Sequence, residues 1–337
     1  MEELKPLVSF LPIDDPSRVA EARRIAVALA REEGLDEAAI ANAALIATEM
    51  ATNLSKHARG GEIHVASLSR QGTPGLDILS IDRGPGIKSI EQCLQDGYSS
   101  AGTSGTGLGA ISRISQTFDA YSEVGKGTVM LARVGPDENT TDGLVAGFAG
   151  RPVAGEEISG DSWAMREDSV FSTFIVADGL GHGIQAAQAS GEAIAAFRSG
   201  SDTKPAALLQ RVHRALRGTR GAAVAVARVD RKDRRVLYAG IGNIAGVIVS
   251  PTKTQHMISH NGTAGHEAMR FQEFVYSFPE AGALIMHSDG LATSWNLENY
   301  PGLTSRHPSV IAGILYRDST RLRDDVCVVV AKDSVQR

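Results

Sequence analysis

The chain has few of the residues that mark secreted, nucleic-acid-binding or membrane proteins. Only two of its 337 residues are cysteines, Cys93 and Cys327, and no CxxC spacing is present. Small thiols in a reducing compartment are therefore expected. The formal net charge is −5 and no long basic run occurs, which argues against a nucleic-acid partner held through its phosphates.

Long apolar runs are also absent. No stretch reaches the roughly 20 residues that a membrane-spanning helix needs, and the first residues, Met1 to Lys5, lack the charge pattern of a signal peptide. We therefore expect a cytoplasmic protein without membrane insertion. The sequence does not indicate an oligomeric state.

The length and composition of the chain indicate two globular domains. Hydrophobic residues make up 42% and charged residues 22% of the chain, and this length corresponds to about two domains. Residues 136–144 show little periodicity and form the best linker candidate. Residues 1–135 mix helices, strands and glycine loops. In residues 145–337 strands dominate, with helices near 184–197 and 205–216. The predicted fold class is α/β (α+β), with an α/β domain followed by an α+β sandwich.

The first half carries a carboxylate and an amide on one helix face. A long helix begins after Asp36, a suitable N-cap, and continues to about His57. Glu49 and Asn53 lie one turn apart on it. Asn53 can offer a neutral oxygen to a phosphate-bound Mg2+, and Glu49 can take a proton from an attacking hydroxyl. Such a pair is more often only part of a solvated helix face, so other motifs must decide between this role and a nucleotide site.

Two glycine-containing turns supply that context. Asp82 ends an apolar strand and opens a Gly-Pro-Gly turn, where a carboxylate can accept a hydrogen bond from an adenine amino group and glycines permit close approach. The loop from Gly102 to Gly109 leads into a helix, whose first N–H groups can bind phosphates. It is not a Walker loop, because the Gly-Lys-[Ser/Thr] ending is missing.

In this order the motifs resemble the GHKL ATPases, and more narrowly the RsbT-like anti-sigma-factor serine/threonine kinases. The resemblance covers about residues 7–135 and includes Gly125-Lys126-Gly127-Thr128. It implies a Bergerat ATP-binding α/β sandwich that uses ATP and Mg2+, with Glu49 as catalytic base and Asn53 at the Mg2+. It further implies a nucleotide site formed by Asp82, Gly84, Gly86, Gly105, Gly107, Gly109 and Thr128.

The second half carries four aspartates beside glycine turns or apolar strands. They are Asp161, Asp178, Asp289 and Asp324. Any one of them is more often a turn or cap residue. Four carboxylates delivered by separate strand ends are what a pair of hard divalent cations needs. The pattern therefore predicts a metal-dependent hydrolase.

The motifs of this half resemble the SpoIIE/RsbX branch of the protein phosphatase 2C superfamily. They include Asp178-Gly179-Leu180-Gly181-His182-Gly183, Ser288-Asp289-Gly290 and Arg323-Asp324-Asp325. The resemblance implies an αββα sandwich with two Mn2+ or Mg2+ ions and a water that attacks phosphorus in line. Asp178 would bridge the ions and so act in catalysis. Asp161 and the Gly179 carbonyl would complete the shell of one ion, and Asp289 and Asp324 that of the other.

Some roles stay open from sequence. His182 is either an acid toward the leaving oxygen or a structural residue of its turn. No basic residue stands just before Asp161 to bind phosphate.

Together the two resemblances imply a bifunctional regulator of a bacterial partner-switching pathway. It would be a Ser/Thr kinase and a phosphoserine/phosphothreonine phosphatase, with STAS-domain antagonist or stressosome-type proteins as its substrates. In the alternative, only the phosphatase is active, and the ATP-binding domain senses nucleotide or docks a partner without transferring phosphate.

Overall fold

The computed structural model of the chain describes residues 8–67, 74–94, 107–135, 143–266 and 270–333. These residues form two compact units. The N-terminal unit takes the described residues of Leu7–Thr140 together with Leu297–Arg317, and the C-terminal unit takes those of Thr141–Asn296 and Asp318–Arg337. Most of the predicted linker, residues 136–142, lies outside the described residues.

In its described residues, the N-terminal unit contains one five-stranded sheet and five α-helices. The strands are β1 (Val8–Pro12), β2 (Glu62–Ser67), β3 (Leu76–Ile81), β4 (Thr117–Glu123) and β5 (Gly127–Val134). The helices are α1 (Arg18–Glu32), α2 (Glu37–Asn53), α3 (Ile90–Cys93), α4 (Gly107–Ile114) and, from the far end of the chain, α7 (Pro308–Ser319) up to Arg317. The sheet order is β1-β2-β3-β5-β4, and each neighbouring pair is antiparallel.

Helix α2 begins and ends where its sequence indicates. The Asp36 side chain accepts a hydrogen bond from the Ala39 N–H at 2.8 Å, as a capping aspartate should. Alanine, isoleucine and methionine side chains spaced at helical intervals are buried on one face, Ile40 and Met50 among them. A short π-helical turn, Leu54–Ala58, extends α2 to the predicted end.

The sheet of the N-terminal unit is covered on both faces. Side chains alternate along a strand, and Leu76 and Ile78 of β3 join the apolar core formed with α1 and α2. The alternate residues, such as Asp77 and Leu79, face α7, which hydrogen-bonds to Asp77 and lies against Leu79. All six residues of β3 are therefore buried.

The part of the C-terminal unit that the structure describes forms two five-stranded antiparallel sheets. The strands are β6 (Leu144–Arg151), β7 (Asp161–Glu167), β8 (Phe171–Gly179), β9 (Ala222–Asp230), β10 (Arg235–Ile241), β11 (Ala245–Val249), β12 (Thr254–Met257), β13 (Phe274–Ser277), β14 (Ala283–His287) and β15 (Val326–Asp333). Their orders are β13-β10-β9-β8-β7 and β12-β11-β14-β15-β6. The rings of Phe148 and Trp163 stack at 5.6 Å and connect the two sheets.

Helices α5 (Ile184–Ser199) and α6 (Pro205–Ala215) cover the first of these sheets. Phe197 and Leu208 pack against Ile175 and Val224 in one apolar cluster. Both helices were predicted from sequence; α7 and β1 were not. The described part of the chain has no helix that is long and apolar enough to cross a bilayer.

Candidate metal and nucleotide sites

The hydrogen-bonding pattern of the first sheet of the C-terminal unit places two predicted ligands side by side. Asp161 is the first residue of β7, Asp178 is near the end of β8, and the two are directly paired across the strands. Gly179 follows, with its N–H donating to the Gly160 carbonyl at 3.0 Å. A Cβ at Gly179 would lie 2.0 Å from the Ala186 carbonyl oxygen, so helix α5 approaches this turn only because no side chain is there.

The second sheet brings Asp289 and Asp324 within electrostatic range of Asp178. Ser288 follows β14, and its hydroxyl donates a 2.6 Å hydrogen bond to Asp161 Oδ2, a residue 127 positions away. The same hydroxyl accepts the Cys327 N–H of β15 at 3.0 Å. Ser288 therefore connects the start of β7 in one sheet with the end of β14 and the start of β15 in the other, and Asp289 is next to it in sequence.

The pKa values show that the carboxylates influence each other. Burial, together with the charges of Asp289 and Asp324, raises the pKa of Asp178 to about 8. Burial, followed by the charge of Asp178, raises the pKa of Asp161 well above its ordinary value. Burial and the Asp324 charge also raise the pKa of Asp289. The four predicted ligands thus form one electrostatic group.

The donor set fits a hard divalent cation, but the side chains are not drawn together around one point. Among the described residues, no group of three or more His, Cys, Asp or Glu side chains is arranged so that it could hold a metal ion. Repulsion between like charges keeps such groups apart, and cations favour their approach. Asp161 Oδ1 is buried and has no described hydrogen-bond partner, as an oxygen reserved for a ligand would be.

Asp325, next to the predicted ligand Asp324, is bound to the backbone. Its two carboxylate oxygens accept the N–H groups of Val153 and Gly160, each at 2.8 Å. Asp325 therefore fixes the backbone just before Asp161.

Two groups that sequence reasoning missed, Glu156 and Arg220, lie around the turn that follows Asp178. His182 Nδ1 lies 2.8 Å from Glu156 Oε1, and the imidazole is 63% exposed. Arg220 Nη1 lies 3.1 Å from where a Cβ of Gly181 would stand. The backbone beside Arg220 is tied to the turn, because the Leu180 N–H donates to the Gly221 carbonyl at 3.0 Å. No local sequence signal connects Glu156 or Arg220 with this turn.

In the N-terminal unit, Asp82 is held by the glycine turn that it opens. Asp82 Oδ1 accepts the Gly84 N–H at 2.7 Å and the Thr128 N–H at 3.2 Å, and the residue is 7% exposed. Burial raises the pKa of Asp82, while these hydrogen bonds and the nearby Arg317 act to lower it. Gly86 has φ +73°, and a Cβ there would lie 2.2 Å from the Glu123 carbonyl oxygen. The turn therefore requires glycine at that position.

Glu49 and Asn53 of α2 lie next to the start of α4. Glu49 Oε2 is 3.2 Å and Asn53 Oδ1 3.8 Å from where a Cβ of Gly107 would stand. Asn53 Nδ2 is buried without a described hydrogen-bond partner. Gly109 is buried within α4, and Gly105 lies outside the described residues. A carboxylate, an amide and the first N–H groups of a helix therefore meet at one place, a combination suited to a phosphate-bound cation.

Comparison with known proteins assigns the two halves of the chain to two different families. The family described as a histidine kinase-like ATPase domain matches residues 14–133, and that described as stage II sporulation protein E (SpoIIE) matches residues 172–333. The chain thus combines an ATPase-type domain with a phosphatase-type domain.

Two relatives from Bacillus subtilis (strain 168) match these domains separately. The serine/threonine-protein kinase RsbT is 32% identical over 114 residues, which are 34% of this chain and 86% of RsbT. The phosphoserine phosphatase RsbX is 23% identical over 181 residues, 53% of this chain and 89% of RsbX. The chain therefore belongs to the RsbT-like histidine kinase-like ATPase family through its N-terminal half, and it carries an RsbX-like SpoIIE domain of the protein phosphatase 2C type.

Among the solved structures that resemble the chain, two are informative. The first comes from work on the bacterial stressosome as a modular system adapted to control secondary messenger signalling. It is 30% identical with a TM-score of 0.52, and the alignment covers 56% of this chain and 100% of the solved chain. The other, RsbX in complex with magnesium, is 20% identical with a TM-score of 0.50, and covers 58% of this chain and 97% of its own. The second likeness supports the fold alone.

Proposed function

We propose that the chain is a bifunctional regulator of a bacterial partner-switching pathway. One half would phosphorylate a serine or threonine of a STAS-type antagonist protein, and the other would remove phosphate from that protein or its relatives. The observation that carries the phosphatase half is the Ser288–Asp161 hydrogen bond, because it joins the start of β7, which bears Asp161, to the end of β14 beside Asp289.

In the phosphatase half, Asp161, Asp178, Asp289, Asp324 and the Gly179 carbonyl would hold two Mn2+ or Mg2+ ions. Such ions supply Lewis acidity toward the phosphoryl group and lower the pKa of water. Arg220 would bind phosphate oxygens, since guanidinium groups suit that geometry.

A residue of the turn after Asp178 would then protonate the leaving serine oxygen. Water forms the new bond to phosphorus as the bond to the serine oxygen breaks. His182, which lies 2.8 Å from Glu156, would donate a proton to that leaving oxygen, and the attacking water would release a proton to solvent. A purely structural role for His182 within its turn is the competing interpretation.

In the kinase half, Asp82 would accept a hydrogen bond from the adenine amino group, in the turn shaped by Gly84, Gly86 and Thr128. The first N–H groups of α4 would bind phosphates, and Asn53 would hold Mg2+. Glu49 would take the proton of the substrate hydroxyl while that oxygen bonds to the γ-phosphorus and ADP leaves.

Incubation of the chain with candidate STAS proteins and γ-labelled ATP tests both halves. Label should enter the STAS protein with wild type, accumulate further with Asp178→Asn, and be absent with Asn53→Ala. Addition of Mn2+ should release label with wild type but not with Asp178→Asn. Failure of wild type both to transfer and to release label would refute the proposal.

A second candidate function keeps the phosphatase and gives the N-terminal unit a sensing role only. It is favoured by one observation: a segment inside the phosphatase-type half of the sequence, Leu297–Arg317, is packed in the N-terminal unit. A Glu49→Gln variant that still binds ATP and retains full regulatory output would support this alternative.

A further inference from the structure

Helix α7 lies, along the chain, between two candidate metal ligands. The chain passes out of the C-terminal unit after Asn296 and returns at Asp318, so the excursion falls between Asp289 and Asp324. Its two ends are pinned together by hydrogen bonds. The Ala292 N–H donates to the Ser319 carbonyl at 2.8 Å, and the Arg321 N–H donates to the Gly290 carbonyl at 2.8 Å. Gly290 is the residue next to Asp289, so these hydrogen bonds connect the two segments that carry Asp289 and Asp324.

Within the N-terminal unit, α7 is fixed to the sheet by specific contacts. The Ser309 hydroxyl donates to Asp77 Oδ2 at 2.8 Å, and the Tyr316 hydroxyl donates to Glu62 Oε2 at 2.6 Å. Gly313 lets the helix approach closely, because a Cβ there would lie 2.7 Å from Val129 Cγ1 and 3.1 Å from Leu79 Cδ2. The helix therefore follows the position of this sheet.

The last residue of α7 in the N-terminal unit reaches the candidate adenine site. Arg317 is 2% exposed, and its Nη1 lies 3.5 Å from the main-chain oxygen of Asp82. Asp82 is the residue whose carboxylate would bind adenine, and the Arg317 charge acts on that carboxylate. A ligand that engages Asp82 therefore changes the surroundings of Arg317, just before the chain returns toward Asp324.

We propose that α7 couples nucleotide binding in the N-terminal unit to the candidate metal ligands Asp289 and Asp324. Nucleotide orders the end of β3 and the α7 helix that contacts it, and the pinned ends of the excursion hold the two ligand loops in the arrangement that binds metal. Nucleotide thereby raises phosphatase activity. This inference rests on the proposed function of both units, and it adds the route by which one regulates the other.

The test uses the full chain with excess Mn2+ and a non-hydrolysable ATP analogue. Two readouts are followed: hydrogen exchange of residues 288–296 and 318–325, and hydrolysis of p-nitrophenyl phosphate at matched free metal. With wild type, the analogue should slow exchange in both segments and raise kcat/KM by roughly 5-fold or more, the low end of ordinary allosteric coupling.

Gly313→Leu is the decisive variant, since the added side chain pushes α7 off the sheet while leucine favours the helix itself. Ser305→Leu adds the same bulk at an exposed position of the excursion and is its matched control. The Gly313 variant should bind the analogue yet lose both responses, and the control should keep them. Gly313→Ala and Tyr316→Phe provide milder disruption if the leucine variant does not fold.

The possible results distinguish failure of the coupling from failure of the phosphatase function. If the analogue binds wild type and changes neither exchange nor rate, or if the Gly313 and Tyr316 variants respond like wild type, the inference is overturned. Failure of the analogue to bind also overturns it. If exchange responds as expected but no phosphate is released, the coupling stands and the proposed phosphatase function fails.

Discussion

At the scale of single residues, the group most in need of a test is Arg220, which no sequence motif indicated. Its guanidinium stands beside Gly181, at the turn that follows Asp178. If it binds substrate phosphate, Arg220→Ala should raise KM for a phosphoserine peptide roughly 10-fold or more, because a hydrogen bond to a charged group contributes about 1.5–3 kcal/mol. Steady-state kinetics and the inhibition constant of inorganic phosphate measure this.

Arg217 offers a matched control for that variant. It is exposed and belongs to the same connection between α6 and β9, so Arg217→Ala removes the same charge at a position away from the turn. An equal change of KM in both variants would mean that Arg220 acts only through the overall charge.

Ser288 should act on the metal site without being a ligand. Its hydroxyl both donates to Asp161 and accepts from Cys327, and groups that orient ligands typically change metal affinity by about 10- to 100-fold. Ser288→Ala should therefore raise the Mn2+ concentration needed for half-maximal activity by a factor in this range. Ser162→Ala is the control, because Ser162, next to Asp161, bonds instead to Ser190. Equal metal requirements in the two variants would exclude this positioning role.

At the scale of elements, the sheet of the N-terminal unit depends on a buried ion pair. Asp77 accepts hydrogen bonds from Arg133 Nη2 at 2.8 Å and from the Ser309 hydroxyl at 2.8 Å. Burial acts to raise the pKa of Asp77, but the charge and hydrogen bond of Arg133 outweigh it and hold that pKa below its ordinary value. The pair therefore joins β3, β5 and α7 in a form that requires the ionised carboxylate.

The sign of the resulting pH dependence is fixed. A carboxyl whose pKa is lower in the folded state contributes stability that is present at neutral pH and is lost as pH falls through the folded pKa. Unfolding of the N-terminal unit, followed by circular dichroism between pH 7 and pH 2, should show this loss in wild type. Asp77→Asn should be less stable by about 3–5 kcal/mol at neutral pH and show a weaker acid dependence. An unchanged acid profile would contradict this account.

The sequence predicted those elements that are marked by caps, turns or apolar spacing among neighbouring residues. The cap Asp36 and the apolar positions of α2 located that helix, and glycine turns located the strand end at Asp82. Helix α7 was missed because Pro308 to Arg317 are all buried, so no polar face marks a helical period. The contacts of Ser288 with Asp161 and of Arg317 with Asp82 depend on chain folding over 127 and 235 residues, which a local pattern does not contain.

At the scale of the whole molecule, the two units do not follow the linear order of the chain. The sequence predicted a boundary at residues 136–144, and both family matches are contiguous. In the structure, however, the N-terminal unit also includes Leu297–Arg317. The domains predicted from sequence and the units of the structure therefore differ by the segment Leu297–Arg317, which contains α7, and this difference has consequences for stability.

A fragment that ends at residue 140 should consequently be less stable than the unit it represents. Without α7, the sheet face that includes Leu79, Ile81 and Val129 loses the cover provided around Gly313. Exposure of three aliphatic side chains costs at least about 1.5 kcal/mol each, equivalent to a Tm lower by roughly 10 °C. The comparison is between residues 1–140 alone and the same fragment joined through a flexible linker to residues 296–319. Differential scanning calorimetry of the two should show the higher Tm with α7 attached, and Gly313→Leu in the joined fragment should remove the gain. Equal Tm values for the bare and joined fragments would mean that α7 does not stabilise the sheet.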